Sequence, residues 1–160
     1  MKKLLLSAIL LLSSFALNAQ NVDDFIEALK TNIKTERKAI IMESMNFTES
    51  ESKAFWPIYN EFELEIDKLS AKRIKNIKDY ADNYEKMTGE KANELIQNAF
   101  KLQKERLSLN ESYYKKYTKA LPATTAAKYM QLENQIQMLI DLKIASELPL
   151  VKKPAGGPNK

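Results

Sequence analysis

Residues Phe47 to Met87 read FTESESKAFWPIYNEFELEIDKLSAKRIKNIKDYADNYEKM, and the spacing of this stretch decides the fold. Thr48 suits the N-cap of a helix, and Glu51, three residues on, completes a capping box that satisfies the first free N–H groups. Phe55, Tyr59, Phe62, Ile66 and Leu69 then recur at steps of four and three, which places them on one helical face. After a phase slip at Arg73 and Ile74 the stripe resumes at Ile77, Tyr80, Tyr84 and Met87. A single helix over this stretch spans about 60 Å at 1.5 Å per residue, so it needs partners along its whole stripe. Pro57 falls inside it, and the ladder crosses Pro57 in phase. The expectation is therefore a bend near Ala54 to Pro57 rather than two separate helices.

Outward from this stretch the same period recurs. Val22 to Met45 is predicted as an amphipathic helix capped by Asn21, with Val22, Ile26, Leu29, Ile33 and Ile40 on its stripe. Thr88 breaks the chain and caps a helix from Gly89 or Glu90 to Lys119, antiparallel to the long one. This third helix carries two ladders. One is Ala92, Leu95, Ala99, Leu102, Leu109 and Tyr113, with Arg106 as its charged rung; the other is Ile96, Phe100, Leu107, Tyr114, Tyr117 and Leu121. Together they make an apolar face too broad for one neighbour. Leu121-Pro122 is the next break, with Pro122 at the first helical position of a helix reaching Ser146. Its apolar set is Ala126, Tyr129, Met130, Ile136, Leu139, Ile140 and Ile144. Aligning Phe47 with Leu121 pairs Phe55 with Tyr129 and Phe62 with Ile136, a faint internal repeat. The fold expected is all-α, four helices built on a long antiparallel hairpin.

Composition narrows the chemistry. The 160 residues suffice for one domain. Lys2 and Lys3 precede the apolar run Leu4 to Leu12, broken only by Ser7, and Asn18-Ala19-Gln20 offers a cleavage point. This predicts a secretory signal peptide over 1–19 and a soluble, exported, periplasmic domain over 20–151. No Cys follows the run, so no lipid anchor is expected. The tail 152–160, KKPAGGPNK, is predicted to be disordered. Without Lys2 and Lys3 the charges are 23 basic against 21 acidic, too even for nucleic acid.

With no Cys there is no disulfide framework, and with no His either, the usual transition-metal ligands are missing. No Asp-x-Asp-x-Asp-Gly calcium loop and no Gly-rich phosphate loop occurs. Ser-His and Cys-His nucleophile pairs are ruled out. Neither a catalytic residue, a metal nor a cofactor is expected. Glu61, Glu63 and Glu65 alternate with the core stripe and read as a solvated face.

Phe55-Trp56-Pro57-Ile58-Tyr59 is the densest aromatic cluster and holds the one Trp. It reads either as a corner where helices cross or as a grip on apolar segments, the corner being preferred. Core packing is likewise the preferred role of Tyr113, Tyr114 and Tyr117. Candidates for contact with a client or partner are Trp56, Arg73, Phe100, Arg106, Tyr114 and Tyr117. For Arg73 and Arg106 the favoured reading is a stem lying along the core edge, with pairing to a carboxylate of a neighbouring helix as the alternative.

The signal peptide, the four helices, the absence of Cys and the helix opening Phe47-Thr48-Glu49-Ser50-Glu51 resemble the Spy/CpxP family of periplasmic stress chaperones. That family is marked by two Leu-Thr-x-x-Gln motifs. Here Phe47 stands for Leu, Thr48 matches and Glu51 stands for Gln; the second copy, Leu121-Pro122-Ala123-Thr124-Thr125, keeps only the Leu. Phe47 to Asn60, with Phe-Trp-Pro-Ile-Tyr-Asn, and Leu121 to Val151, with Leu-Glu-Asn and Pro-Leu-Val, look like a Bacteroidetes-type relative. The resemblance implies a cradle-like helical homodimer that holds unfolded envelope proteins without ATP during envelope stress. The alternative it leaves is a soluble adaptor of an envelope-stress signalling system, an extracytoplasmic sigma factor or sensor kinase.

Overall fold

The computed structural model describes residues 36–151. Among them are four helices and no strand: α1, described over 36–45; α2, Glu49–Asn83; α3, Gly89–Ala120; and α4, Ala123–Glu147. The all-α expectation is met. The predicted signal peptide, most of the first predicted helix and the predicted tail lie outside the described residues.

Each boundary has a local cause. Asn46 ends α1 in the left-handed region at φ 51°, a conformation Asn tolerates at a helix C-terminus. At Thr48 the capping box forms: its Oγ1 accepts the Glu51 N–H at 3.2 Å, and its own N–H donates to Glu51 Oε2 at 2.9 Å. From there α2 runs unbroken through Pro57, so the alternative of a separate short helix ending at Trp56 is not what forms. It stops earlier than the predicted Met87. Asn83 Nδ2 donates to the Asp79 carbonyl at 2.8 Å, and Tyr84–Lys86 tightens into a 3₁₀ turn. Thr88 Oγ1 caps α3 by accepting the Lys91 N–H at 3.1 Å. Pro122 stands at the N-cap of α4, one residue before the position expected of it.

Side-chain pairs give the packing directions. Glu61 meets Lys116, Lys72 meets Glu105, and Asn76 Nδ2 donates to the Leu95 carbonyl, the stepping of an antiparallel α2–α3 pair. Between α2 and α4 the numbers rise together: Thr125 bonds Glu51, Arg73 pairs with Asp141, and the Tyr80 hydroxyl donates to the Pro149 carbonyl at 2.6 Å. These two helices are parallel. α1 lies antiparallel to α4, through Arg37 to Glu133 and Lys128 Nζ to the Met45 carbonyl.

The core fills the space between them. Phe55, Tyr59, Phe62, Ile66 and Leu69, the whole first run of the α2 stripe, are buried, with Tyr113, Tyr117, Leu121, Tyr129 and Ile136 from α3, its end and α4. The second run, Ile77, Tyr80, Tyr84 and Met87, is only half-buried. Leu139, expected on the buried face of α4, is exposed, because its direction on the helix is about 60–100° from Tyr129, Ile136 and Ile140.

Candidate protein-binding surface and the corner behind it

The Thr48 cap joins two stretches far apart in sequence. Glu51 spends Oε2 on the capping box, while its Oε1 accepts the Thr125 hydroxyl at 2.7 Å. These hydrogen bonds, that from the Thr48 backbone foremost, hold the Glu51 carboxyl below its ordinary range. Thr125 is the last residue of Leu121-Pro122-Ala123-Thr124-Thr125, so the two motif-like segments meet at one corner. The offset of that bond, 74 residues, is the offset of the internal alignment, and the buried Phe55–Tyr129 ring pair shares it.

Behind the corner Phe55 is surrounded by aromatic rings: Phe47 at 4.5 Å between centroids, Tyr129 at 4.8 Å, Trp56 at 5.2 Å, Tyr117 at 5.4 Å and Tyr59 at 5.6 Å. The Tyr59 and Tyr117 rings stack on Phe55 while the others meet it tilted or edge-on, and such pairs add to area burial. Trp56 is half-buried, with Nε1 donating to Ser52 Oγ at 3.1 Å; Pro57 is exposed. Burial pushes the Tyr59, Tyr117 and Tyr129 phenols well above their ordinary value near 10. This region is a packed joint, the reading preferred from sequence.

One turn along α4 is a feature that sequence reading did not single out. Glu133 is fully buried, and its Oε1 accepts Arg37 Nη2 of α1 at 2.7 Å and Arg106 Nη2 of α3 at 2.9 Å. Glu133 Oε2 and Arg37 Nε have no hydrogen-bond partner among the described residues. Burial pushes the Glu133 carboxyl above its ordinary value, with Arg37 and Arg106 pulling the other way. The same burial lowers the Arg106 guanidinium. A sequence signal existed: Arg37 fills the rung between Ile33 and Ile40, and Glu133 the rung between Tyr129 and Ile136. Charges that complete apolar ladders from different helices are candidates for one another.

These contacts sort the six candidate contact residues. Tyr117 is fully buried among the aromatic rings, so its place is in the core rather than at a client surface. Arg106 points inward to Glu133, and Arg73 pairs with Asp141 at 2.6 Å; both take the alternative weighed for them, a carboxylate on a neighbouring helix. Trp56 belongs to the joint. Phe100 and Tyr114 remain at the surface, 50% and 38% exposed.

Those two belong to a longer strip. The second α3 ladder divides: Tyr117 and Leu121 turn into the core, while Ile96, Phe100, Leu107 and Tyr114 stay outside. Met138, Leu139 and Leu142 of α4 are exposed as well, each by more than 60%. Two open recesses on α3 are lined by Gln97, Phe100, Gln103, Lys104 and Leu107, and by Lys104, Glu105, Ser108, Leu109 and Ser112. Both have walls from α3 alone, so neither encloses a small molecule. Among the described residues, no helix is long and apolar enough to cross a membrane, and no three His, Cys, Asp or Glu side chains converge as metal ligands. Comparison with protein-family models, curated proteins and solved structures finds no match to this chain.

Proposed function

We propose that the chain is an exported, ATP-independent holdase that shields unfolded or misfolded envelope proteins, working as a homodimer of helical cradles. The observation that carries this reading is the uncovered apolar surface: Ile96, Phe100 and Leu107 on α3, and Met138, Leu139 and Leu142 on α4, all at least half exposed. The α3 members keep one direction along the helix, and an apolar row outside a folded core is a candidate interaction site. Its character suits loose contact with many sequences, since single apolar side chains stand among Gln, Lys and Ser with no deep pocket to select one ligand. The Spy/CpxP resemblance and the predicted signal peptide supply the compartment and the class of client.

The test is aggregation of an unfolded model client, followed by light scattering, with residues 20–160 in several-fold excess. Slowed aggregation is expected, weakened by Phe100→Ser with Leu107→Ser. Unchanged aggregation of every client tried overturns the proposal. Capture of one stoichiometric envelope protein in place of many weak ones would assign the surface to an adaptor. The mass in solution tests the dimer.

A further inference from the structure

The outer face of α3 carries more than an apolar strip. Ile96, Phe100, Leu107 and Tyr114 follow one another at steps of four, seven and seven, so they keep one direction along about 27 Å of helix. Roughly 100° around the same helix runs a second row, Lys101, Lys104, Lys115 and Lys119, all exposed. Lys104, Lys115 and Lys119 stand in no ion pair among the described residues. Glu111 is the one carboxylate between the two rows. Glu105, on the far side, is engaged by Lys72, and Glu94 by Lys91.

We infer that this face lies on an anionic phospholipid surface, with the apolar row dipping among the acyl chains and the lysine row meeting the headgroup phosphates. Beyond the client-holding reading, two observations fit this face to a membrane, an occupant that excludes clients while it is seated. The first is charge complementarity: with Lys101 beside Glu105, three cations in no ion pair face one anion next to a straight apolar row, the pattern of a helix lying in a membrane interface with its axis in the plane. The second is shape. The recess on this face, at Gln97, Phe100, Gln103, Lys104 and Leu107, has α3 as its only wall. A ridge with one wall fits a planar, deformable surface. Tyr114, at the end of the row, has the amphipathic ring favoured at the boundary between headgroups and acyl chains.

The experiment is co-sedimentation of residues 20–160 with vesicles of phosphatidylglycerol mixed into phosphatidylcholine, against phosphatidylcholine alone, at low and high salt. Binding to the anionic vesicles only, weakening as salt rises, is expected. Lys104→Glu with Lys115→Glu lowers the partition coefficient about tenfold or more, since each cation near such a surface contributes appreciably. Phe100→Ser with Leu107→Ser lowers it too; circular dichroism melts of both variants establish that they are folded. Equal binding to neutral vesicles, no binding to anionic ones, or variants that bind as the parent does would each overturn the assignment. So would an unfolded client protein whose capture depends on these lysines while vesicles of either kind are ignored: the face would then belong to clients alone, and the client-holding reading would stand without the membrane.

Discussion

Removing the Glu133 side chain tests how the helices are held to one another. Glu133→Ala deletes the carboxylate that meets Arg37 and Arg106, whose side chains are only 7% and 20% exposed. Neither guanidinium can recover full hydration without moving its helix, and a cavity opens beside Tyr129. Breaking a buried pair on one side costs about 3–5 kcal/mol. A domain of this size is stable by about 5–15 kcal/mol, so about a fifth or more of its stability goes. With a urea dependence of about 1–3 kcal/mol per molar, the midpoint of the unfolding curve at 222 nm falls by at least about 1 M. Glu133→Gln behaves differently. It keeps the volume and an acceptor oxygen for both guanidinium groups, and it discards a charge that burial already disfavours. Its cost is predicted to be well under half that of Ala. The folded carboxyl titrates above its ordinary value near 4.5, so its contribution is fullest below that pH and fades as pH rises through the folded value. The cost of Gln relative to the parent therefore shrinks over the same window. An Ala variant within about 0.5 kcal/mol of the parent would refute the reasoning, because surface ion pairs behave that way.

Three further outcomes follow from other parts of the fold. Thr48→Ala removes the N-cap and the return bond of Glu51, and should cost about 0.5–2 kcal/mol, read from chemical denaturation. Pro57→Ala should stabilise the chain, by up to about 3 kcal/mol, because α2 is already helical there and Ala restores a missing backbone donor; a lower melting temperature would mean that proline geometry seats the aromatic joint. Above pH 10 the unfolded chain loses phenolic protons that Tyr117 and Tyr129 retain when folded, so their stabilising contribution is complete below pH 10 and is lost as pH rises further. Each buried phenol removes up to about 1.4 kcal/mol per pH unit; absorbance at 295 nm should rise together with loss of helix, and phenolate appearing while the helix signal is intact would contradict the burial.

What could be read from the sequence were the local rules. The Thr48 and Thr88 caps, the breaks at Asn46 and Leu121, and the buried run Phe55 to Leu69 depend on neighbours a few residues away, and those are printed in the chain. The period of α3 showed two apolar ladders, yet it could not tell which would be covered. A helix records which residues share a face and not which helix will lie against that face. Hence Tyr117 and Leu121 went inside while Ile96, Phe100, Leu107 and Tyr114 stayed out. Leu139 has the same origin, lying at the edge of the α4 stripe where a small rotation decides its exposure. The Arg37–Glu133–Arg106 cluster was visible only as polar rungs in three separate ladders, and meeting at one carboxylate is a property of tertiary packing.

The distance in sequence between Arg37 and Glu133, 96 residues, bears on how the chain folds. α2 and α3 are joined by a very short link, so their pairing closes a small loop and has low contact order. Docking α1 onto α4 closes the largest loop among the described helices and must wait for both to be formed. The hairpin is therefore expected to form in the folding nucleus and the buried charges to close in a late step, which φ-values at α2–α3 and at Glu133 would check. The cluster then governs how long the native state lasts more than how fast it is reached, because interactions made after the transition state act on the unfolding rate. For a chain without cysteine, and so with no disulfide to fasten it, that late electrostatic closure is a source of kinetic persistence.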